Sequence, residues 1–187
     1  MVLTCRRAAC ALLAGLFSCQ VAGGEATPHL GVSPGAQALA DRAQIVFADG
    51  RGLPPGQGNA NEGGRIFANR CAQCHGAEGR GGPGGELTGG NPDLTARPAD
   101  KTIGTYWPYA PTLFDFVRRA MPPAAPWSLR DDEVYSLVAY LLSRDGLWAE
   151  DAVLDARGLA AVQMPNRAGF VPIDAAVAMP PAPTSPH

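Results

Sequence analysis

Residues 71–75 read Cys-Ala-Gln-Cys-His. Two thiols three positions apart, followed at once by an imidazole, form a C-x-x-C-H run, the attachment pattern of a c-type haem. One short turn at a helix end must present both sulfurs and the imidazole to a single flat cofactor. The two sulfurs would add to its vinyl groups and the imidazole would ligate its iron. A bare C-x-x-C would equally suit a thioredoxin-like redox pair or a zinc site. The adjoining His75 argues against both, and so does the lack of any cysteine after Cys19 other than this pair. A four-ligand zinc site would need two further ligands, and only His29 and His187 remain as histidines.

The chain opens Met1-Val-Leu-Thr-Cys-Arg6-Arg7, then runs apolar from Ala8 to Phe17, then turns to small residues. This is the pattern of a secretory signal, with an apolar stretch too short for a stable bilayer span. Cleavage is expected after Gly23 or Ala26. Leu16-Phe17-Ser18-Cys19 also fits a lipoprotein box, which would put a lipid anchor on Cys19. Cys5, Cys10 and, in most of these schemes, Cys19 leave with the leader, so no disulfide framework is expected. Export to the periplasm suits haem attachment, which takes place outside the cytoplasm. Without Arg6 and Arg7 the chain carries 13 basic and 17 acidic residues, a net charge of -4, and Lys101 is its single lysine. No basic patch for nucleic acid exists, and no lysine ring would steer an acidic partner.

Residues 27–58 are rich in Gly, Pro and Ala and read as an extension that docks on the following domain, with a short helix over 37–47. A first firm helix is expected over 61–73, capped by Asn61 and with Glu62 in its first turn. Gly63 and Gly64 are poor helix formers, so they imply close approach of another helix, with Phe67 one turn on. Seven glycines between Gly79 and Gly90 exclude a phosphate-binding P-loop, because no Lys-Ser/Thr follows and no strand precedes. They suit a loop hugging the edge of a flat cofactor. Tyr106, Trp107 and Tyr109 are aromatics that either line the pocket, with Tyr106 and Trp107 reaching haem propionates, or fill the core. Thr112 and Asp115 read as a capping box for a helix over 112–120, with Leu113, Phe116, Val117 and Ala120 as its apolar stripe. Ser128 and Asp131 repeat the signal for a helix over 129–144, with Val134, Leu137, Val138 and Leu141 inward and Gly146 as terminator. A short helix over 151–162, a loop over 164–170 and a proline-rich end from Pro180 complete an all-α chain without a transmembrane span.

An electron-carrying haem is usually six-coordinate, and methionine sulfur is a soft axial ligand that raises the potential. Beyond Met1, the methionines are Met121, Met164 and Met179, each followed by proline. Met121 lies where a loop could fold over the open haem face and is the first choice for the distal ligand. Met164 is the alternative and His29 a distant third.

Gly63, Phe67, Cys71, Cys74 and His75 stand at the spacings of class I cytochrome c, and the chain resembles that class. The resemblance implies a small helical domain around one covalent haem c, with irregular N- and C-terminal extensions. It also implies that the first helix packs on an apolar–x–x–aromatic pair of the last, here Leu137 and Tyr140. The class carries a proline whose carbonyl orients the proximal histidine; here Gly85 stands at that place, between Pro83 and Pro92. Gly50-Arg-Gly-Leu-Pro-Pro-Gly56, Gly104-Thr-Tyr-Trp-Pro-Tyr-Ala110, Arg118-Arg-Ala-Met-Pro122, Asp132-Glu-Val-Tyr135 and Met164-Pro-Asn-Arg167 look like the cytochrome subunit of bacterial sulfane/sulfite dehydrogenases of the Sox sulfur-oxidation type. That resemblance implies a molybdenum-cofactor dehydrogenase as electron donor and a downstream cytochrome or oxidase as acceptor. The expected division is a signal over 1–23, an N-terminal extension over 24–58, a cytochrome domain over 59–148 and a C-terminal extension over 149–187. A stand-alone shuttle to a terminal oxidase, and haem-based catalysis or gas sensing at an open iron position, are the competing readings. Residues 50–56 and 164–170 exceed what a minimal shuttle needs.

Overall fold

The computed structural model describes residues 31, 33–42 and 44–170. The expected leader, Cys19, His29, Met179 and the proline-rich end lie outside the described residues. Helix α1 spans Ala36–Arg42, strand β1 Gln57–Asn59, and helices α2 to α6 Ala60–Arg70, Ala72–His75, Ile103–Tyr106, Ala110–Ala120 and Asp131–Arg144. Strand β2 (Val153–Asp155) and helix α7 (Ala156–Ala161) follow. The expected all-α architecture holds, apart from one two-stranded antiparallel ribbon that joins β1 to β2, pairing Gly58 with Leu154. Three-residue strands carry too little alternation to be read from sequence.

The core is organised by the crossing of α2 over α6. A Cβ on Gly63 would run into the Ser136 carbonyl and stand 2.7 Å from the Cβ of Tyr140, and one on Gly64 would meet the Tyr140 ring at 3.2 Å. The two glycines therefore remove the bulk that would hold the helices apart. Phe67, one turn on, packs its ring 5.2 Å from that of Tyr140, centroid to centroid. Val134, Leu137, Val138 and Leu141 are all buried as expected, and so are Tyr135, Ser136, Ala139 and Leu142. Helix α6 is thus wrapped on most of its circumference. Each large apolar side chain withdrawn from water here stabilises by about 1.5–3 kcal/mol.

Several caps fall elsewhere than the sequence suggested. Asn59, not Asn61, caps α2, its Oδ1 accepting from Glu62 N at 2.9 Å, because β1 runs straight into the helix. Helix α5 starts two residues early, at Ala110, with a proline in its first turn. There Thr112 Oγ1 donates to Tyr109 O, and Asp115 turns to Arg119 and to Val46 N instead of closing a capping box. Phe116 is 46% exposed, and Phe114 takes its expected inward place. Ser128 is not the cap of α6. Its hydroxyl accepts from Arg70, while Glu133 accepts from Arg130 N at the helix start. Helix α1 stops at Arg42, short of the expected 47; residues 44–47 form no helix, and Val46 is buried with its N–H donating to Asp115 of α5.

The segment before β1 is fastened to α6. Tyr135, fully buried, donates its hydroxyl to Pro54 O at 2.8 Å, and Gln57 N donates to Asp132 Oδ1 at 2.9 Å. On the other side, Leu154, Leu159, Val162 and Met164 are buried in the same core. No helix among the described residues is long and apolar enough to cross a membrane.

Gly63→Ala is expected to cost about 2–3 kcal/mol in urea unfolding, as overpacked sites do. Gly35→Ala, with open space around it, should stay within about 0.5 kcal/mol. Burial, with Asp131 next, pushes the Tyr135 hydroxyl up from 10.0 to about 12. The folded state holds this proton longer than the unfolded one, so the associated stability is complete below about pH 10 and lost as pH rises through about 12. Denaturant midpoints should therefore be flat up to about pH 10 and fall beyond it. Tyr135→Phe should reduce that fall, and the unpaired Pro54 carbonyl should cost roughly 1–2 kcal/mol at neutral pH. A wild-type alkaline slope in Tyr135→Phe would rule this out.

Candidate haem site

Helix α2 ends at Arg70 and passes its chain direction to Cys71, whose N–H still bonds to Phe67 O at 2.9 Å. Helix α3 is a single turn, Ala72–His75, with Cys74 N and His75 N both donating to Cys71 O. The C-x-x-C-H run is thereby wound into one tight coil at the end of the helix that anchors the core.

The glycine-rich loop lies against this coil. Gly84 N donates to Cys74 O at 2.6 Å. A Cβ on Gly82 would collide with the same carbonyl, and one on Gly84 would stand 3.1 Å from the His75 ring carbon Cε1. Missing side chains at these two positions are what allow the loop to close on the coil. The loop then returns a carbonyl to the imidazole: His75 Nδ1 stands 3.0 Å from Gly85 O. A proline carbonyl can be replaced here by a glycine carbonyl because the interaction uses only backbone. It commits Nδ1 as donor and leaves Nε2 for a metal.

Beside the coil opens an apolar cavity of about 370 Å³, within the ~300–1,000 Å³ of cofactor clefts. Cys71, Cys74 and His75 line it, and so does Met121, the residue that ends α5. Its walls come from Phe67, Leu87, Val117, Leu137 and Leu141, with Pro83, Gly84, Pro122 and Pro123. Arg70 is the one basic side chain other than His75 on this lining. Two thiols, one oriented imidazole and a thioether on an apolar surface match the donor set of a covalent haem. Burial pushes the Cys71 thiol above its ordinary value, and the Arg70 guanidinium opposes that shift.

Met164, the alternative ligand, is 3% exposed and belongs to the hydrophobic core, away from the cavity lining. Tyr106 and Trp107 do not line the cavity either. Trp107 Nε1 donates to Thr112 Oγ1 at 2.9 Å, and its ring packs edge-on to Phe116. Tyr106 packs edge-on to Phe170, and its carbonyl accepts from Asn166 Nδ2 at 2.8 Å. Arg167 stacks over Tyr109 at 5.2 Å. The aromatic segment and the segment that starts at Met164 therefore pack on each other. Sequence reasoning did not assign Leu87 and Val117 to the cavity wall. Val117 was legible, since it lies one helical turn before Met121 on the same face. Among the described residues, no cluster of three or more His, Cys, Asp or Glu could hold a further metal ion.

A helical bundle whose first and last long helices cross at glycine, with a C-x-x-C-H coil facing an apolar cleft, defines a c-type cytochrome. The cytochrome c family profile matches residues 60–145. One solved structure, the sulfane dehydrogenase SoxCD from Paracoccus pantotrophus, contains a chain 39% identical to this one. The match covers 79% of this chain and 73% of that one, with a TM-score of 0.69. No curated protein matches the chain significantly. The chain belongs to the class I c-type cytochromes of the Sox type, a family of electron carriers with covalent haem c.

Proposed function

We propose that this cytochrome is an exported carrier with a single haem c, and that it takes electrons from a molybdenum-dependent dehydrogenase acting on a reduced sulfur compound. A downstream cytochrome or oxidase would then receive them. The observation that carries this reading is the extent of the SoxCD match. At 79% of the chain it runs well past residues 60–145, into segments a minimal haem domain does not need. Outside residues 60–145 the chain carries the β1/β2 ribbon and the contacts of Asn166 and Arg167 with the aromatic segment.

In this reading Cys71 and Cys74 tether the haem, His75 Nε2 is the proximal ligand and Met121 the distal one. Bound there, the haem supplies reversible one-electron exchange at its iron. The protein's part is to hold and tune. The Gly85 carbonyl keeps the proton on Nδ1 and fixes the ring plane. Val117, Leu137 and Leu141 exclude water, which disfavours the more highly charged oxidised state and raises the potential.

Ferric haem with a thioether ligand shows a weak charge-transfer band at the red edge of the spectrum. Met121→Ala should abolish it. Met164→Ala should keep it and instead lose about 2–4 kcal/mol of stability, as a truncated core methionine does. The opposite pattern would hand the ligand role to Met164. For the sulfur assignment, the full-length holoprotein is mixed with the molybdenum dehydrogenase and sulfite or thiosulfate, and haem reduction is followed optically. Reduction that needs both enzyme and substrate is expected. No reduction by any such pairing would remove the sulfur donor while leaving the electron carrier intact.

A further inference from the structure

The residues that follow Met121 make a short excursion, Pro122-Pro123-Ala124-Ala125-Pro126, before the chain returns at Trp127. Two backbone bonds shape it. Ala125 N donates to Pro122 O at 2.9 Å, and Trp127 N donates back to Arg118 O at 3.2 Å. The second bond brings the far end of the loop onto the last turn of α5, the turn that presents Met121.

Trp127 has φ +62, in the left-handed region that a bulky side chain rarely occupies. Such a conformation persists only where the surroundings over-determine it. The surroundings here are two guanidinium groups. Arg118 and Arg119 stack over the indole, 5.1 and 5.0 Å from the ring centroid. Neither arginine is loose. Arg118 Nε pairs with Asp131 at 3.2 Å, Arg119 Nε with Asp115 at 2.7 Å, and both also reach Gln44, one through its side-chain oxygen and one through its carbonyl. The next residue is pinned as well, since Ser128 Oγ accepts from Arg70 of the cavity lining at 2.8 Å.

We propose that Trp127, gripped by Arg118 and Arg119, is the clasp that keeps the Met121 loop closed over the haem cavity. This makes Trp127 a positioning residue, acting on the iron only through Met121, and it rests on the reading of Met121 as the distal ligand. Opening the loop lets water or an added ligand compete with the thioether. Two cation–π contacts, each worth a factor of a few, set the size of the effect at about tenfold.

The test uses full-length ferric holoprotein titrated with imidazole, which displaces a thioether from iron, together with the red-edge charge-transfer band. Trp127→Gly removes the ring while relieving the left-handed backbone, and Trp127→Asn, which also tolerates that backbone but lacks glycine's freedom, should loosen equally if the lost grip is the cause. Trp127→Gly should bind imidazole about tenfold more tightly than wild type, with a weaker band and an unchanged far-ultraviolet circular dichroism spectrum. Trp127→Phe keeps an aromatic face for the arginines and should stay within about threefold of wild type. Wild-type imidazole affinity in Trp127→Gly or Trp127→Asn, or equal loosening in Trp127→Gly and Trp127→Phe, would overturn the clasp. Met121→Ala, measured alongside, separates the two readings. Loss of its band with unaltered Trp127→Gly sinks only the clasp, whereas a retained band in Met121→Ala removes the distal ligand assignment and the clasp with it.

Discussion

The contact between Gly63 of α2 and the Ser136 carbonyl of α6 is the constraint from which the rest of the molecule follows. It lets two long helices cross with no side chain between them. That closeness brings Phe67 onto Tyr140 and turns Leu137 and Leu141 toward the end of α2. Because α2 runs directly into Cys71, the crossing also sets where the C-x-x-C-H coil sits. One face of α6 therefore serves twice, as the core of the bundle and as a wall of the cavity. A polar or bulky residue at the crossing would disturb both together.

The long-range periodicity of α6 was plain in the sequence, and so were the haem-attachment run and the need for close approach at Gly63. All three are local patterns with a strong physical cause: an apolar stripe at helical spacing, a fixed thiol spacing, and glycine inside a helix. Caps were less legible, because a residue such as Thr112 or Ser128 can bond elsewhere once tertiary partners are in reach. Thr112 serves Tyr109 and Trp107, and Ser128 serves Arg70. The partner of His75 was legible only through the resemblance, which puts Gly85 at the place of the orienting carbonyl; the residue itself carries no signal, since any residue can supply a backbone carbonyl. Tyr106 and Trp107 could have served the pocket or the core; the Tyr106 ring packs on Phe170 of the segment that follows Met164, while the Trp107 indole bonds to Thr112 and packs on Phe116.

The two extensions share one logic. Neither has enough apolar surface to fold alone, and each borrows the core of the haem domain. The earlier segment hangs on Tyr135, Asp132 and Asp115, and the later one inserts Leu154, Leu159 and Met164. Strand pairing between β1 and β2 then ties them to each other. The earlier segment also lies against α5, where Val46 N donates to Asp115. Gln44 meets Arg118 and Arg119 there, so the surface next to the Met121 loop is braced from outside the haem domain.

Intact-mass measurement of the exported, matured chain, with alkylation of any free thiol, bears most directly on a haem tethered through Cys71 and Cys74. The coloured protein should carry the mass of one haem, retain it on denaturation, and leave neither thiol open to iodoacetamide. A colourless product, with both cysteines alkylated and no added mass, would contradict the covalent centre on which the whole arrangement is built.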